Sequence, residues 1–122
     1  RSIPWAIFSE PEVAKVGLSK AEAQAEGINV LEGTLKMAAN EKASCMQSTE
    51  GMIKIAVDAD TRKIIGSSIV AHDASTLIGE MALAVKNGIT IEEFNLTVHA
   101  HPTLNEALFE AGKSVTGKGY HK

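Results

Sequence analysis

With 122 residues, 44% hydrophobic and 22% charged, the chain has the composition of one soluble globular domain with a single core. A net charge of -3 and a pI near 5.8 exclude the basic footprint of a nucleic-acid or acidic-membrane binder, and no apolar run approaches the roughly 18 residues of a spanning helix. The lone Cys45 excludes an internal disulfide and fits a reducing compartment, and no secretory signal opens the chain, so a cytoplasmic protein is expected.

Ile3 to Phe8 mixes β-branched, aromatic and apolar residues and reads as a strand, with Pro4 placing its start at a sheet edge. Glu10-Pro11-Glu12 turns the chain into a second short strand, Val13 to Gly17. Ser19-x-x-Glu22 is a capping box for a brief helix over Lys20 to Glu26, stopped by Gly27. Its alanines point to close packing on a sheet. Ile28 to Met37 is the longest predicted strand, but its apolar phase slips between Ile28/Val30 and Leu31/Leu35/Met37, which predicts a bulge near Glu32-Gly33.

Ala38 to Gln47 is irregular, and Cys45, beside no cation, reads as a structural thiol. Met52 to Val57 alternates cleanly, placing Ile53, Ile55 and Val57 on a buried face, and Ile64 to Ala71 pairs back across an Asp58 to Lys63 loop. Asp58-x-Asp60 is not a calcium loop, because the twelfth position would be Ile69 rather than Glu. Asp73 to Asn87 is the strongest helix, capped by Asp73 or Ser75 and ended by Gly88. Leu77, Ile78, Met81, Ala82, Leu83, Ala84 and Val85 cover most of its circumference, so it needs cover on two sides. One side is the domain's own sheet. The other is a second subunit, with Gly79 and Ala82 allowing close approach, or the helices that follow. Thr90-x-x-Glu93 caps a short helix to about Asn95, and Leu96 to Ala100 leads extended into the next corner.

That corner is His99-Ala100-His101-Pro102-Thr103-Leu104-Asn105-Glu106. Pro102 cannot sit inside a helix or central strand, so the chain arrives extended at His101, and Thr103-x-x-Glu106 reads as a capping box opening a helix over Leu104 to Ala111. His101 then stands at a loop-to-helix corner, with Glu106 in the first turn able to reach back to one ring nitrogen. A carboxylate there fixes the imidazole tautomer and stabilises the imidazolium formed when the other nitrogen takes a proton. It also offsets the positive helix end, which alone would disfavour a charged His101. The plainer readings are a Glu106 that only completes the cap, with His101 a solvated loop residue, and a metal site on His99 and His101 for which no third ligand is spaced.

After Gly112 the tail Lys113 to Lys122 is polar and glycine-rich and is expected to be disordered, leaving residues 1–112 as the domain. Gly112-Lys113-Ser114 is no phosphate loop, since position 107 is Ala where Gly is needed, and no G-x-G-x-x-G occurs to cradle a dinucleotide. Strands followed by helices give an α+β fold, an antiparallel sheet with helices packed on one face.

The string His99 to Leu108, HAHPTLNEAL, resembles the C-terminal signature of the flavin-dependent pyridine nucleotide-disulfide oxidoreductases, and most closely the dihydrolipoamide dehydrogenases, which read H-x-H-P-T-L-x-E. In the same order, Ile3-Pro4, Phe8-Ser9-Glu10-Pro11-Glu12 and Val16-Gly17-Leu18 resemble the entry into that family's last domain. Thr49-Glu50-Gly51, Ile53-Lys54 and Ile65-Gly66 resemble its central hairpin. The likeness runs from about residue 3 to about residue 112.

The resemblance implies the dimerisation domain of such a homodimeric flavoenzyme. FAD, NAD and the redox disulfide then belong to other domains, so the chain alone is expected to be inactive and to carry no cofactor or metal. His101 is implied to reach the partner subunit's FAD and disulfide, with the His101 and Pro102 backbone beside the flavin, and to deprotonate the dihydrolipoyl group of a 2-oxo acid dehydrogenase complex. Glu106 is implied to orient it. Asn105 and Trp5 depart from the usual pattern without touching this chemistry. Leu104 and the single Glu106 favour the lipoamide type over glutathione- or mercuric-reductase types; a non-catalytic dimerisation module is the other alternative.

Overall fold

A computed structural model of the chain describes residues 3–9, 11–36, 51–96 and 105–115. In order these form β1 (Trp5–Ile7), β2 (Glu12–Gly17), α1 (Lys20–Ala25), β3 (Val30–Lys36), β4 (Met52–Asp58), β5 (Ile64–Ala71), α2 (Ala74–Lys86), α3 (Ile91–Asn95) and α4 (Asn105–Val115). The strands make one antiparallel sheet in the order β1-β2-β5-β4-β3.

Alternation decides which side of the sheet carries the core. Ala14 and Val16 of β2, Leu35 of β3, Ile53, Ile55 and Val57 of β4, and Ile69 and Ala71 of β5 are all buried and pack with α2, α3 and α4. On α2 the buried residues are Ala74, Leu77, Ile78, Met81 and Ala84, while Gly79 and Leu83 face outward and Leu83 is 61% exposed. No described neighbour covers that outer ridge. Lys15 alternates to the other side of the sheet, where its ammonium meets Glu22 of α1 at 2.6 Å. The antiparallel sheet and its helices are therefore the expected α+β architecture, with short α1 reached from the side that Lys15 faces.

The β4–β5 hairpin forms because Asp58 Oδ1 accepts the amides of Asp60 and Thr61 at 2.8 and 3.2 Å, so Asp58 organises a turn. The expected bulge at Glu32-Gly33 is absent: β3 pairs without a shift from Val30 opposite Asp58 to Lys36 opposite Met52. The irregularity lies instead between β4 and β5 at Ala56/Val57, where Ile65 is the extra residue and Ile64 takes the core-facing place opposite Val57. The phase slip in β3 has another cause. Gly33 occupies the buried face between Leu31 and Leu35, and a Cβ there would run into the Ala111 carbonyl and Val115 of α4. A missing side chain reads as a gap in the pattern, yet here it is the seat of a helix.

The helix ends follow local rules at four of the described starts and stops. Ser19/Glu22 and Thr90/Glu93 each make both hydrogen bonds of a capping box. Gly27 and Gly88, at φ +83 and +61, close α1 and α2 with the six-to-one bonds Ile28 N–H to Ala23 O and Ile89 N–H to Ala84 O. The start of α2 does not follow them. Asp73 stands at the N-cap position in the left-handed region with no side-chain cap, and Glu12 of β2 caps the helix instead, accepting from Ser75 N and Ser75 Oγ at 3.0 and 2.7 Å.

Three helices therefore begin on a carboxylate. The Lys15 ammonium, and then the Ser19 amide and hydroxyl, hold Glu22 down at about 2; the Ser75 amide lowers Glu12, and the Thr90 amide lowers Glu93. A depressed folded-state pKa stabilises the fold above the unfolded value of 4.5, and that contribution disappears as the pH falls through the folded value. The urea midpoint should accordingly fall as the pH is lowered from about 5 toward about 2, and Glu22→Gln should make that fall shallower. A midpoint independent of pH across this window would show that the three caps add nothing.

Candidate functional site

The predicted site is built on the junction of α3 and α4. Thr90 starts α3 and its last residue is Asn95; residues 96–104 then lead to α4, which begins at Asn105. Leu108, Ala111 and Val115 bury one face of α4 against the sheet. Gly33 lets that face approach β3 closely, and Ser114 Oγ pins it by accepting the Thr34 amide at 3.0 Å while donating to Ala111 O at 2.7 Å. The helix continues through Gly112 to Val115, past the end expected at Ala111, and takes in Lys113, Ser114 and Val115 of the expected tail. Glycine is a weak helix former, but Gly112 is buried under α3, and packing overrides propensity there.

Glu106 is the second residue of α4, so its backbone lies at the positive end of that helix. Its side chain lies outside the described residues, as do His99, His101, Pro102, Thr103 and the capping box of Thr103 with Glu106; Cys45 lies outside them too. The described structure thus fixes the platform and the starting turn for Glu106. Among the described residues no three His, Cys, Asp or Glu side chains converge as a metal site requires, and no helix is long and apolar enough to cross a membrane.

Two further arrangements stand apart from this junction. His72 Nε2 lies 3.5 Å from Asp73 Oδ2 beside the Glu12–Ser75 cap, a polar group whose hydrogen bonds are those of the α2 start. A groove of about 350 Å3 between α1 and the sheet is lined by Lys15, Lys20, Glu32, Lys54 and Ser68, with Lys15 already paired to Glu22. Sequence reasoning missed Glu12, Gly33, Asn95 and Gly112. Only a period-2 count that treats glycine as a core residue would have singled out Gly33, and the other three act across elements distant in sequence.

Comparison with known proteins agrees with this architecture. Residues 3–111 match the family described as "Pyridine nucleotide-disulphide oxidoreductase, dimerisation domain". The dihydrolipoyl dehydrogenase of Geobacillus stearothermophilus is 40% identical over 120 residues, which are 98% of this chain and 26% of that protein. That of Chlorobaculum parvum is 44% identical over 109 residues, 89% of this chain and 23% of that protein. Among solved structures, LpdA from Mycobacterium tuberculosis superposes with a TM-score of 0.89 at 30% identity, over 94% of this chain and 25% of that one. The HOCl-induced flavoprotein disulfide reductase RclA from Escherichia coli gives 0.87 at 25% identity, over 91% and 26%. The chain therefore spans about a quarter of the length of these relatives. The match over residues 3–111, the antiparallel sheet and the helices seated on it together make this chain a member of the pyridine nucleotide-disulphide oxidoreductase dimerisation-domain family.

Proposed function

We propose that this chain is the dimerisation domain of a cytoplasmic, homodimeric dihydrolipoamide dehydrogenase, and that it supplies His101 and Glu106 as an acid/base pair to the partner subunit's site. The observation that carries the reading is the H-x-H-P-T-L-x-E string at His99 to Glu106, in a chain 40% identical to a dihydrolipoyl dehydrogenase over 98% of its length. The outward Gly79–Leu83 ridge of α2 supports a second copy as the cover that helix needs.

His101 takes the proton of a dihydrolipoyl thiol. With a pKa of about 8.5 such a thiol is mostly protonated at neutral pH, so a base is required to generate the thiolate that attacks a disulfide. Glu106 holds the other ring nitrogen and balances the imidazolium against the positive start of α4. The backbone of His101 and Pro102 would lie beside the partner subunit's FAD. FAD and NAD, bound by the other domains of such an enzyme, supply the electron path from the disulfide to the nicotinamide.

A second reading, the glutathione-reductase type, is disfavoured by Leu104 and by Glu106 standing alone, where that type carries Ser and paired glutamates. Steady-state assays of the intact enzyme separate the two. Its kcat/KM for dihydrolipoamide with NAD should exceed that for glutathione disulfide with NADPH by roughly a hundredfold or more. The reverse ratio would replace the lipoamide assignment with the second reading.

A further inference from the structure

We propose that the cleft at the C-terminal end of α2 binds a medium-chain carboxylate, a ligand with an aliphatic tail and one anionic head, at a site that shares no residue with the one proposed above. The cleft has a volume of about 350 Å3 and is lined by Leu18, Ile28, Ile65 and Val85 together with Lys63 and Lys86. It sits where the link from β2 to α1, the start of β5 and the last turn of α2 meet. Pockets for small molecules begin at about this size, with apolar walls and a few polar groups that fix orientation.

The walls suit an aliphatic tail. Leu18, Ile28, Ile65 and Val85 are each only half-buried, yet they converge on one hollow instead of standing singly on the surface. The bulge in β5 puts Ile65 there. With Gly66 opposite Ala56 and Ile64 opposite Val57, Ile65 has no partner on β4 and leaves the alternation that buries Ile64 and Ile69. The Leu18 amide donates to Ile65 O at 2.9 Å, so these two walls come from segments tied to each other.

The charges suit an anionic head. No carboxylate lines the cleft, whereas the groove beside Lys15 contains Glu32 and its Lys15 is paired with Glu22. Among the described residues neither the Lys63 nor the Lys86 ammonium has a hydrogen-bond or ion-pair partner. Lys63 Nζ lies 3.7 Å from where a Cβ on Gly88 would stand, two residues after Lys86, so both cations belong to the end of α2. The negative pole of that helix does not cancel them. Leu83 O accepts the Asn87 amide and Nδ2, Ala84 O accepts the Ile89 amide and Val85 O the Gly88 amide, and two full charges outweigh a pole of about half a charge. A phosphate would leave the aliphatic walls in water, and a neutral hydrocarbon would leave both ammoniums without a counter-charge.

Equilibrium dialysis of the intact enzyme against radiolabelled octanoate tests the site. One equivalent per subunit should bind, and the affinity should rise by up to about fourfold for each methylene from butanoate to octanoate. Octanamide, with the same tail and no charge, should compete about tenfold more weakly. Lys63→Gln with Lys86→Gln, two exposed positions, should weaken octanoate about tenfold and remove most of the salt dependence of its binding. Ile65→Ser should flatten the chain-length series; if that variant does not fold, the lysine pair still decides the matter. No binding of octanoate at millimolar concentration, equal affinity for acetate and octanoate, or undiminished binding by the lysine double variant would each overturn the proposal.

Discussion

Replacing His101 by Gln in the intact enzyme is expected to lower kcat for dihydrolipoamide oxidation by roughly 10² to 10⁴-fold, the range over which a positioned acid/base side chain contributes. Glutamine keeps the length and one donor and acceptor of the imidazole but cannot take up a proton near neutral pH. The flavin content and the dimer mass should be unchanged, because the substitution removes a proton acceptor and leaves the apolar faces of the domain as they are. The limb of the pH profile set by the histidine should vanish with it. Full turnover in the variant would reduce the chain to a dimerisation module without chemistry, the principal competing role for this domain.

The largest expected loss of stability comes from Ile53→Ala. Ile53 is fully buried on β4, opposite Leu35 of β3 and Ile69 of β5, so its side chain is enclosed from both neighbouring strands. Truncation there removes three buried carbons and leaves a cavity that interior strands cannot easily close, which costs about 2–5 kcal/mol. For a domain of this size the thermal midpoint should fall on the order of 10 °C, and the urea midpoint should fall with no change in slope. Gln24→Ala is the matching control. Gln24 is exposed on α1, so its truncation should move the unfolding free energy by less than about 0.5 kcal/mol.

Where an element's determinants lie within a few residues of one another, the sequence was enough to find it. The capping boxes at Ser19 and Thr90, the closing glycines at positions 27 and 88, and the alternation of Ile53, Ile55 and Val57 all appear where local spacing puts them. Three features were illegible for a common physical reason. Glu12 caps α2 through Ser75, 63 residues later in the chain, so neither residue advertises the other. Gly33 looked like a bulge and Gly112 like a helix stop because glycine is read by its backbone freedom, whereas both serve here as space for a neighbouring helix. For the candidate site, the residue types and order in His99 to Glu106 are what the proposed chemistry rests on. The seating of α4 on Gly33, Ser114 and Gly112, which governs where Glu106 starts, depends on contacts up to 80 residues apart.

The strand order also has a consequence for how the chain comes off the ribosome. β5 pairs with β2 on one side and β4 on the other, so among the described residues it is the strand that joins two ribbons of the sheet: β1 with β2, and β3 with β4. A nascent chain that has not yet exposed Ile64 to Ala71 holds two narrow ribbons, each with an apolar face and open edges, and two-stranded ribbons are marginal in water. Translation must therefore deliver β5 before either half can commit to the fold, and chains stalled upstream of residue 64 should be the ones that chaperones retain.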